Sequence, residues 1–530
     1  VLAAILGAPF VSALGCEREA PLPALEGEIK GPSIEAGHRL RDPAALRALA
    51  TADAEERRTG VAILGAGPAG LAAAWRLVRA GVEDFELYEL EPEPGGTSAS
   101  GRTSVTAHPW GAHYLPVPRP EHTALVELLR EMDAWESRDA QTLIPREHLL
   151  VRAPEERVFY RGFWYPGLLP RVGMTADERA QLARFEALVA RWTAFRDGQG
   201  RRAFDLPSSR CSDDAEVMAL DRLSAAELCD REGITAPRVR WWLEYGTRDD
   251  YGLALTEASA WSLLFYHVAR TETPGEESAD FLTWPEGNGA LVHHLARTAG
   301  RRVHTERMVV NVRSSDEGAS VLLLDVRRDR PIRVQAEHVI CALPRFVAAR
   351  VVEGAAASDA TYGPWAVANL HLRSRPAYRG APPAWDNVIY DSPSLGYVSA
   401  THQRGRDFGP TVWTYYLPFV DADARAGRQR LFEHDWRGFA DAIVTDLGRA
   451  HPDLLQHLER IDMWKWGHAM AQPRVGARSS PLRRDATQRR GRISFAHSDL
   501  SALALFEEAF DHGVRAADEV IAARRERVPT

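Results

Sequence analysis

Lysine is almost missing from this sequence. Of 65 basic residues only Lys30 and Lys465 are lysines, and arginine carries the rest of the positive charge. Few side-chain amines are therefore on hand for catalysis. Cysteine is scarce as well: Cys16, Cys211, Cys229 and Cys341 are the four present, and none forms a C-x-x-C pair. That excludes a zinc ribbon and a dithiol redox motif. There is no excess of positive charge either. The formal net charge is -8 and the isoelectric point about 6.2, so a globally basic nucleic-acid binder is excluded and no nucleic-acid partner is expected. A mean hydropathy of -0.30 excludes a polytopic membrane protein. Internal repeats and low-complexity tracts are lacking too. What remains is 530 residues, 45% hydrophobic and 26% charged. This is globular composition, with length for about three domains of roughly 150 residues.

Residues 1–15 are almost wholly apolar, too short for a spanning helix, which needs ~20 residues, but suited to the core of a signal peptide. The run ends in Ala13-Leu14-Gly15-Cys16, which resembles a bacterial lipobox. The resemblance implies a signal-like segment over 1–16, a diacylglyceryl thiol on Cys16, and a membrane anchor in the cell envelope that is lipid only. Export of an already folded protein by the twin-arginine route fits that address. The competing account is a buried helix carrying a core cysteine in a cytoplasmic protein. Residues 17–57 read as a tether with one short helix, opened by Asp42 as N-cap and Pro43 at the first helical position.

The strongest signal starts at Val61. The apolar run Val61-Ala62-Ile63-Leu64 feeds Gly65-Ala66-Gly67-Pro68-Ala69-Gly70, a helix pattern over 71–80 follows, and a second strand Phe85–Tyr88 ends at Glu89. Gly65 permits a tight turn, Gly67 lets backbone approach a pyrophosphate, and Gly70 lets helix and strand pack closely. The helix start, including Ala69, turns amides toward the phosphates. Glu89 can accept hydrogen bonds from ribose hydroxyls. A lone G-x-G-x-x-G is weak, but strand, turn, helix, strand and acid fall here in order. FAD and NAD both remain open at this point.

The acid of Glu89 is followed by Glu91-Pro92-Glu93-Pro94-Gly95-Gly96-Thr97. This order resembles the flavin-containing amine oxidase and phytoene desaturase superfamily, in which the Gly-Gly pair lies against FAD. Thr97 stands where the family usually has arginine, with Arg102 nearby. Trp110-Gly111-Ala112-His113-Tyr114 resembles the loop passing the flavin ring, and 284–291 the family's P-x-G-G-x-x-x-L segment. Val309 matches the valine whose backbone pairs with adenine, and 336–344 the strand "A-D-x-V-I-x-A-x-P". Gly491–Asp499 and Phe506–Ala517 resemble the family's tail motif. There Asp499 would bond the FAD chain, and the helix start at Phe506 and Glu507 would face the flavin pyrimidine, where its dipole favours the reduced cofactor. His497 and Glu508 depart from the usual glycines.

The resemblance implies an α/β fold, a Rossmann-type FAD-binding domain interleaved with a mixed α+β substrate-binding domain. The FAD domain would combine 58–115, 284–350 and 462–530; the substrate domain 116–283 and 351–461. The implied function is an FAD-dependent oxidoreductase taking hydride from a C–N or C–C bond of a small amine or an unsaturated, isoprenoid-like compound, with dioxygen or a quinone as electron acceptor. Many family members place a lysine near flavin N5, but the matching strand, 366–372, has none. That favours a dehydrogenase or desaturase over an oxidase. Lys465, Trp466 and His468 are the candidate catalytic groups, Lys465 on one strand face and the other two opposite. A surface lysine and a neutral core histidine are the plain alternatives. Asp249 or Asp250 could pair with an amine, or belong to a turn before a helix, and Thr401-His402-Gln403 could enter the cleft. A membrane-tethered flavin-binding protein without turnover and an NAD-dependent dehydrogenase are the competing functions; the second leaves Gly95-Gly96 and the tail motif without a role.

Overall fold

The computed structural model describes residues 25–137, 143–275, 280–421 and 423–526. Cys16 and the lipobox-like run lie outside the described residues. Among the described residues no helix is long and apolar enough to cross a membrane.

Two sheets organise the chain. In the first, Val303–His304, Phe85–Tyr88, Glu55–Leu64, Arg330–Cys341 and Ile493–Phe495 run parallel in that order. Val61, Ala62, Ile63 and Leu64 are each 0% exposed, as a parallel strand covered on both faces requires. Helices Pro68–Arg79, Gly289–Ala299 and Phe506–Arg525 cover one face in a single apolar cluster. The other face packs on Val309, Val321, Val334 and their neighbours. A meander of Arg307–Ser314 and Ala319–Asp325 completes the sheet by pairing antiparallel with the first half of Arg330–Cys341. The sequence suggests two strands in that last segment, over 332–334 and 338–342. No glycine or proline follows Pro331 to break the run, and one strand of 12 residues forms.

The second sheet has eight strands, in the order Ile29–Lys30, Leu458–Ala471, Tyr362–Leu372, Thr411–Pro418, Tyr397–Ser399, Asp386–Ile389, Glu156–Tyr160, Phe163–Pro166. Alternation sorts its side chains. Ala366, Ala368, Leu370 and Tyr415 pack under helices Ala424–Glu433 and Trp436–Gly448. Trp365, Val367, Tyr416 and Trp466 face the other way, onto Trp110. The pairing of Ile29–Lys30 with Met463–Trp464 makes part of the expected tether an edge strand. Its short helix forms over Pro43–Thr51, with Asp42 accepting from Ala44 and Ala45 amides.

A helical layer of Ala176–Ala194, Ala225–Arg231, Pro237–Tyr251 and Ala260–Val268 has its own core. Thr175 and Glu178 form a capping box at its first helix. Arg248-Asp249-Asp250-Tyr251 is not a turn before a helix. It is the last turn of Pro237–Tyr251, closed by Gly252 in the left-handed conformation. His402 and Gln403 bind backbone of Arg152, His148 and Leu150, a role in holding loops together.

Candidate active site

The C-terminal end of Glu55–Leu64 turns sharply at Gly65, whose φ of +98° suits glycine. A Cβ on Gly70 would lie 1.8 Å from the Gly65 carbonyl oxygen, so helix and strand touch backbone to backbone. A Cβ on Gly67 would meet nothing within 4 Å. The helix begins at Pro68 with no side-chain cap on its amides, leaving donors free for an anion. Ala69 is buried, and its carbonyl sits 2.1 Å from where a Gly513 Cβ would be, which fixes the tail helix on the first helix.

Glu89 ends the next strand. Its carboxylate accepts from the Ala66 amide at 2.6 Å and the Glu91 amide at 2.9 Å, while burial pushes its pKa up. The Gly95 amide donates to the Ala66 carbonyl at 2.9 Å, and a Gly96 Cβ would lie 3.4 Å from Gly67 Cα. Both glycine segments thus meet across Ala66 and Gly67. Thr97 receives the Ala112 amide on its carbonyl at 3.2 Å. Arg102 is exposed. Val309 is buried against the sheet, beside a bulge at Val309/Asn311.

The tail supplies Asp499, 0% exposed. Its Oδ2 accepts from the Arg345 amide at 2.8 Å and the Tyr362 hydroxyl at 2.5 Å. Its Oδ1 has no hydrogen-bond partner among the described residues. His497 Nδ1 is 3.0 Å away but accepts the Asp499 amide at 3.2 Å, so that nitrogen does not donate in the neutral tautomer. Burial works to raise the Asp499 pKa, but His497, Tyr362 and the Arg345 amide hold it below the ordinary carboxylate range. Phe506 stacks with Phe510 at the uncapped start of Phe506–Arg525. Glu507 is buried, and its pKa is pushed up to about 7. Glu508 accepts from the Ser208 amide and hydroxyl, at 2.5 and 2.9 Å. Its departure from glycine thus ties the tail helix to the segment at Ser208.

These residues fit FAD. An open cradle at Gly67, uncapped helix starts at Pro68 and Phe506, and an orphaned buried carboxylate oxygen on Asp499 are what a bound dinucleotide would complete.

The three catalytic candidates separate on one strand. Trp464 and Trp466 stack at 5.1 Å, and Trp466 Nε1 donates to the Trp110 carbonyl at 2.6 Å. His468 shares that strand face and stacks on Phe346 at 4.5 Å. The residue is exposed, and desolvation where it packs, with the charges of Arg428 and Arg41, lowers its pKa to about 4, so it is neutral at pH 7. Lys465 alternates to the opposite face, where Nζ donates to the His434 carbonyl at 2.6 Å beneath Phe432 and Phe439. The fold does not bring it to Trp466 or His468.

Beside the Trp110–Tyr114 loop lies a recess that the motifs do not announce. His113, Tyr114, Asp249, Tyr266 and Asp386 gather there, each half-buried. His113 packs on Trp385 at 5.2 Å and Tyr416 at 5.0 Å, and burial lowers its pKa to about 3. Arg270 is committed to Asp250 at 2.7 Å. Asp386 and Asp249 are answered by tyrosine hydroxyls instead, Tyr245 at 3.2 Å and Tyr266 at 3.5 Å. Burial and the charge of Asp250 push Asp249 up to about 7. Burial, Glu156 and Asp249 push Asp386 well above the carboxylate range.

Comparison with known proteins extends beyond these motifs. No curated protein matches the sequence. Among solved structures, putrescine oxidase bound to putrescine has a TM-score of 0.66 at 18% identity, covering 88% of this chain and 100% of that one. Cyclohexylamine oxidase from Brevibacterium oxydans IH-35A gives 0.63 at 16%, with 88% and 100% covered. A fatty acid isomerase from P. acnes that produces CLA gives 0.59 at 16%, with 87% and 98% covered. At these identities the likeness is one of fold. The model for flavin-containing amine oxidoreductases matches residues 68–521, from the helix after the glycine turn through the tail helix. With two glycine segments, a buried tail acid and that match along most of its length, the chain belongs to the flavin-containing amine oxidoreductase family.

Proposed function

We propose that the protein is an FAD-dependent oxidoreductase that oxidises the C–N bond of a cationic amine. The observation that carries this reading is the nearness of Asp249 and Asp386 among the aromatic side chains beside the Trp110–Tyr114 loop, neither of them ion-paired to an arginine among the described residues. An ammonium ion there would gain two carboxylates and the faces of Tyr266, Trp385 and Tyr416. It would also reverse the cost of ionising them, because a bound cation favours the charged carboxylate.

Bound FAD would supply the two-electron acceptance that no side chain provides. Gly65, Gly67, Ala69, Gly70, Glu89, Gly95, Gly96 and Thr97 would hold its adenosine and phosphates. Val309 would face its adenine, and Asp499, Phe506 and Glu507 its flavin end. His113 and His468, both neutral at pH 7, would orient substrate without adding positive charge. Asp249, whose burial and neighbour Asp250 favour its protonated form, is suited to hold a proton at its carboxylate. The lysine-free strand Tyr362–Leu372 and the remote position of Lys465 favour a dehydrogenase, with a quinone-like acceptor preferred over dioxygen.

The test is a spectrum followed by an anaerobic screen. The purified protein should show flavin absorbance, and acid precipitation should release FAD, because the described cysteines are buried. Monoamines, diamines and polyamines should bleach that absorbance. Absence of flavin, or bleaching only by neutral unsaturated compounds, would overturn the proposal.

A further inference from the structure

Five successive carbonyls in the loop over 109–113 are each taken by a donor from elsewhere. Pro109 accepts from Asn369 Nδ2 at 3.1 Å, Trp110 from Trp466 Nε1 at 2.6 Å, and Gly111 from the Tyr416 hydroxyl at 2.9 Å. Ala112 accepts the Asn288 amide at 3.0 Å, and His113 the Thr283 hydroxyl at 2.9 Å. The first three donors stand on three adjacent strands of the eight-stranded sheet, Leu458–Ala471, Tyr362–Leu372 and Thr411–Pro418. Asn369 is 0% exposed, and its own carbonyl is held by Thr414 at 2.7 Å. A trans peptide sends its N–H opposite to its C=O. Trp110 and Ala112 use theirs on Ala99 and Thr97, at 2.9 and 3.2 Å. The Gly111 amide has no acceptor among the described residues, and its carbonyl partner in the same peptide faces Trp466. Gly111 is required there, since a Cβ would come within 2.1 Å of the Thr97 carbonyl.

We infer that Asn369, Trp466 and Tyr416 are positioning residues: they lock the peptide planes of 109–111 from the inserted domain, so that the Gly111 N–H is presented as a fixed donor to the flavin edge. This assigns Trp466 a structural hand in tuning the cofactor in place of a catalytic contact. It also gives the lysine-free strand a part in the site through Asn369. The inference rests on the flavoenzyme reading above. A donor at the carbonyl-bearing edge of the flavin, where negative charge collects on reduction, favours the reduced cofactor. Loosening it should weaken the preference for reduced over oxidised flavin.

The test compares Tyr416→Phe with Tyr415→Phe. The two hydroxyls sit on opposite faces of one strand; Tyr415 bonds Asp446 at 3.0 Å, away from the loop. Tyr416→Phe should change the shape of the visible flavin spectrum and lower the midpoint potential by about 30 mV. That is a tenfold loss of preference for the reduced state in a two-electron couple. Tyr415→Phe should lower thermal stability and leave the potential unchanged. Trp466→Phe and Asn369→Ser should move the potential in the same direction as Tyr416→Phe. An unchanged potential in flavin-loaded Tyr416→Phe and Trp466→Phe would overturn the inference, as would an equal shift in Tyr415→Phe. If the parent protein holds no flavin, the reading of function fails first, which is a different result.

Discussion

One methyl group placed at two points of the same turn should have opposite consequences. Gly67→Ala adds a Cβ that meets nothing within 4 Å, on backbone with φ -72° and ψ 179° that any residue adopts. Alanine is a poorer N-cap than glycine by roughly 0.5–1 kcal/mol, and restricting the unfolded chain returns about 0.4–1 kcal/mol. The flavin-free protein should therefore keep its stability to within about 1 kcal/mol. The space that methyl fills is where a pyrophosphate would meet the helix amides. Losing two charge-assisted hydrogen bonds at about 1.5–3 kcal/mol each predicts a Kd for FAD raised roughly 10²- to 10⁴-fold. Gly70→Ala does the reverse. Its Cβ would stand 1.8 Å from the Gly65 carbonyl oxygen, so the helix must withdraw by more than an ångström, and overpacking of that kind costs about 1–3 kcal/mol or more. Urea unfolding of flavin-stripped protein, paired with FAD titration by fluorescence quenching, separates the two. Equal FAD affinity in Gly67→Ala, or an apoprotein destabilised as much as Gly70→Ala, would refute the cradle.

Other outcomes follow from the recess and the strand faces. Asp249, raised to about 7 from 3.8, keeps its proton in the folded chain at pH values where the unfolded chain has lost it. Its contribution to stability therefore falls as pH rises from about 4 to about 7, while amine affinity should climb with pH up to about 7. Asp249→Asn should flatten both profiles and raise KM for an amine on the order of 10²-fold; an unchanged pH profile would refute this. Lys465→Met should leave stopped-flow reoxidation by dioxygen unchanged, because Nζ is bound to the His434 carbonyl on the far face; a tenfold slower reaction would make Lys465 part of the site. Full-length protein should partition with membranes and into detergent, and Cys16→Ser should not; equal distribution would refute a lipid anchor.

The Rossmann half was written locally. Val61–Glu89 carries its own turn residues and apolar periods, so strand Phe85–Tyr88 ends where the sequence places it. Asp42-Pro43 likewise opens a helix. The site beyond it was not local. Asn369 and Tyr416 meet the loop across 260 and 305 residues, and Asp386 lies in a strand with no motif of its own. Only the alternation of Tyr362–Leu372, which puts Asn369 on the face of Trp365 and Val367, hinted at its direction. The Arg248–Gly252 segment was harder for another reason: helix Pro237–Tyr251 has a mostly polar and aromatic composition, so no apolar stripe marks where it stops.

The sheet that carries the glycine turn is also a clock. Leu64 and Ile493 belong to strands flanking the same partner, Arg330–Cys341, and the helix that roofs Pro68–Arg79 is Phe506–Arg525. A ribosome adding about 5–20 residues per second leaves roughly 20–90 s between emergence of the first strand and the last. Through that interval Pro68–Arg79 can already lie on Val61–Leu64 and Phe85–Tyr88, but the side of that helix covered by Phe506–Arg525 stays open. A chain stopped before Ile493 should therefore carry the glycine turn without Asp499 or the covering helix, and should bind FAD more weakly than the whole chain.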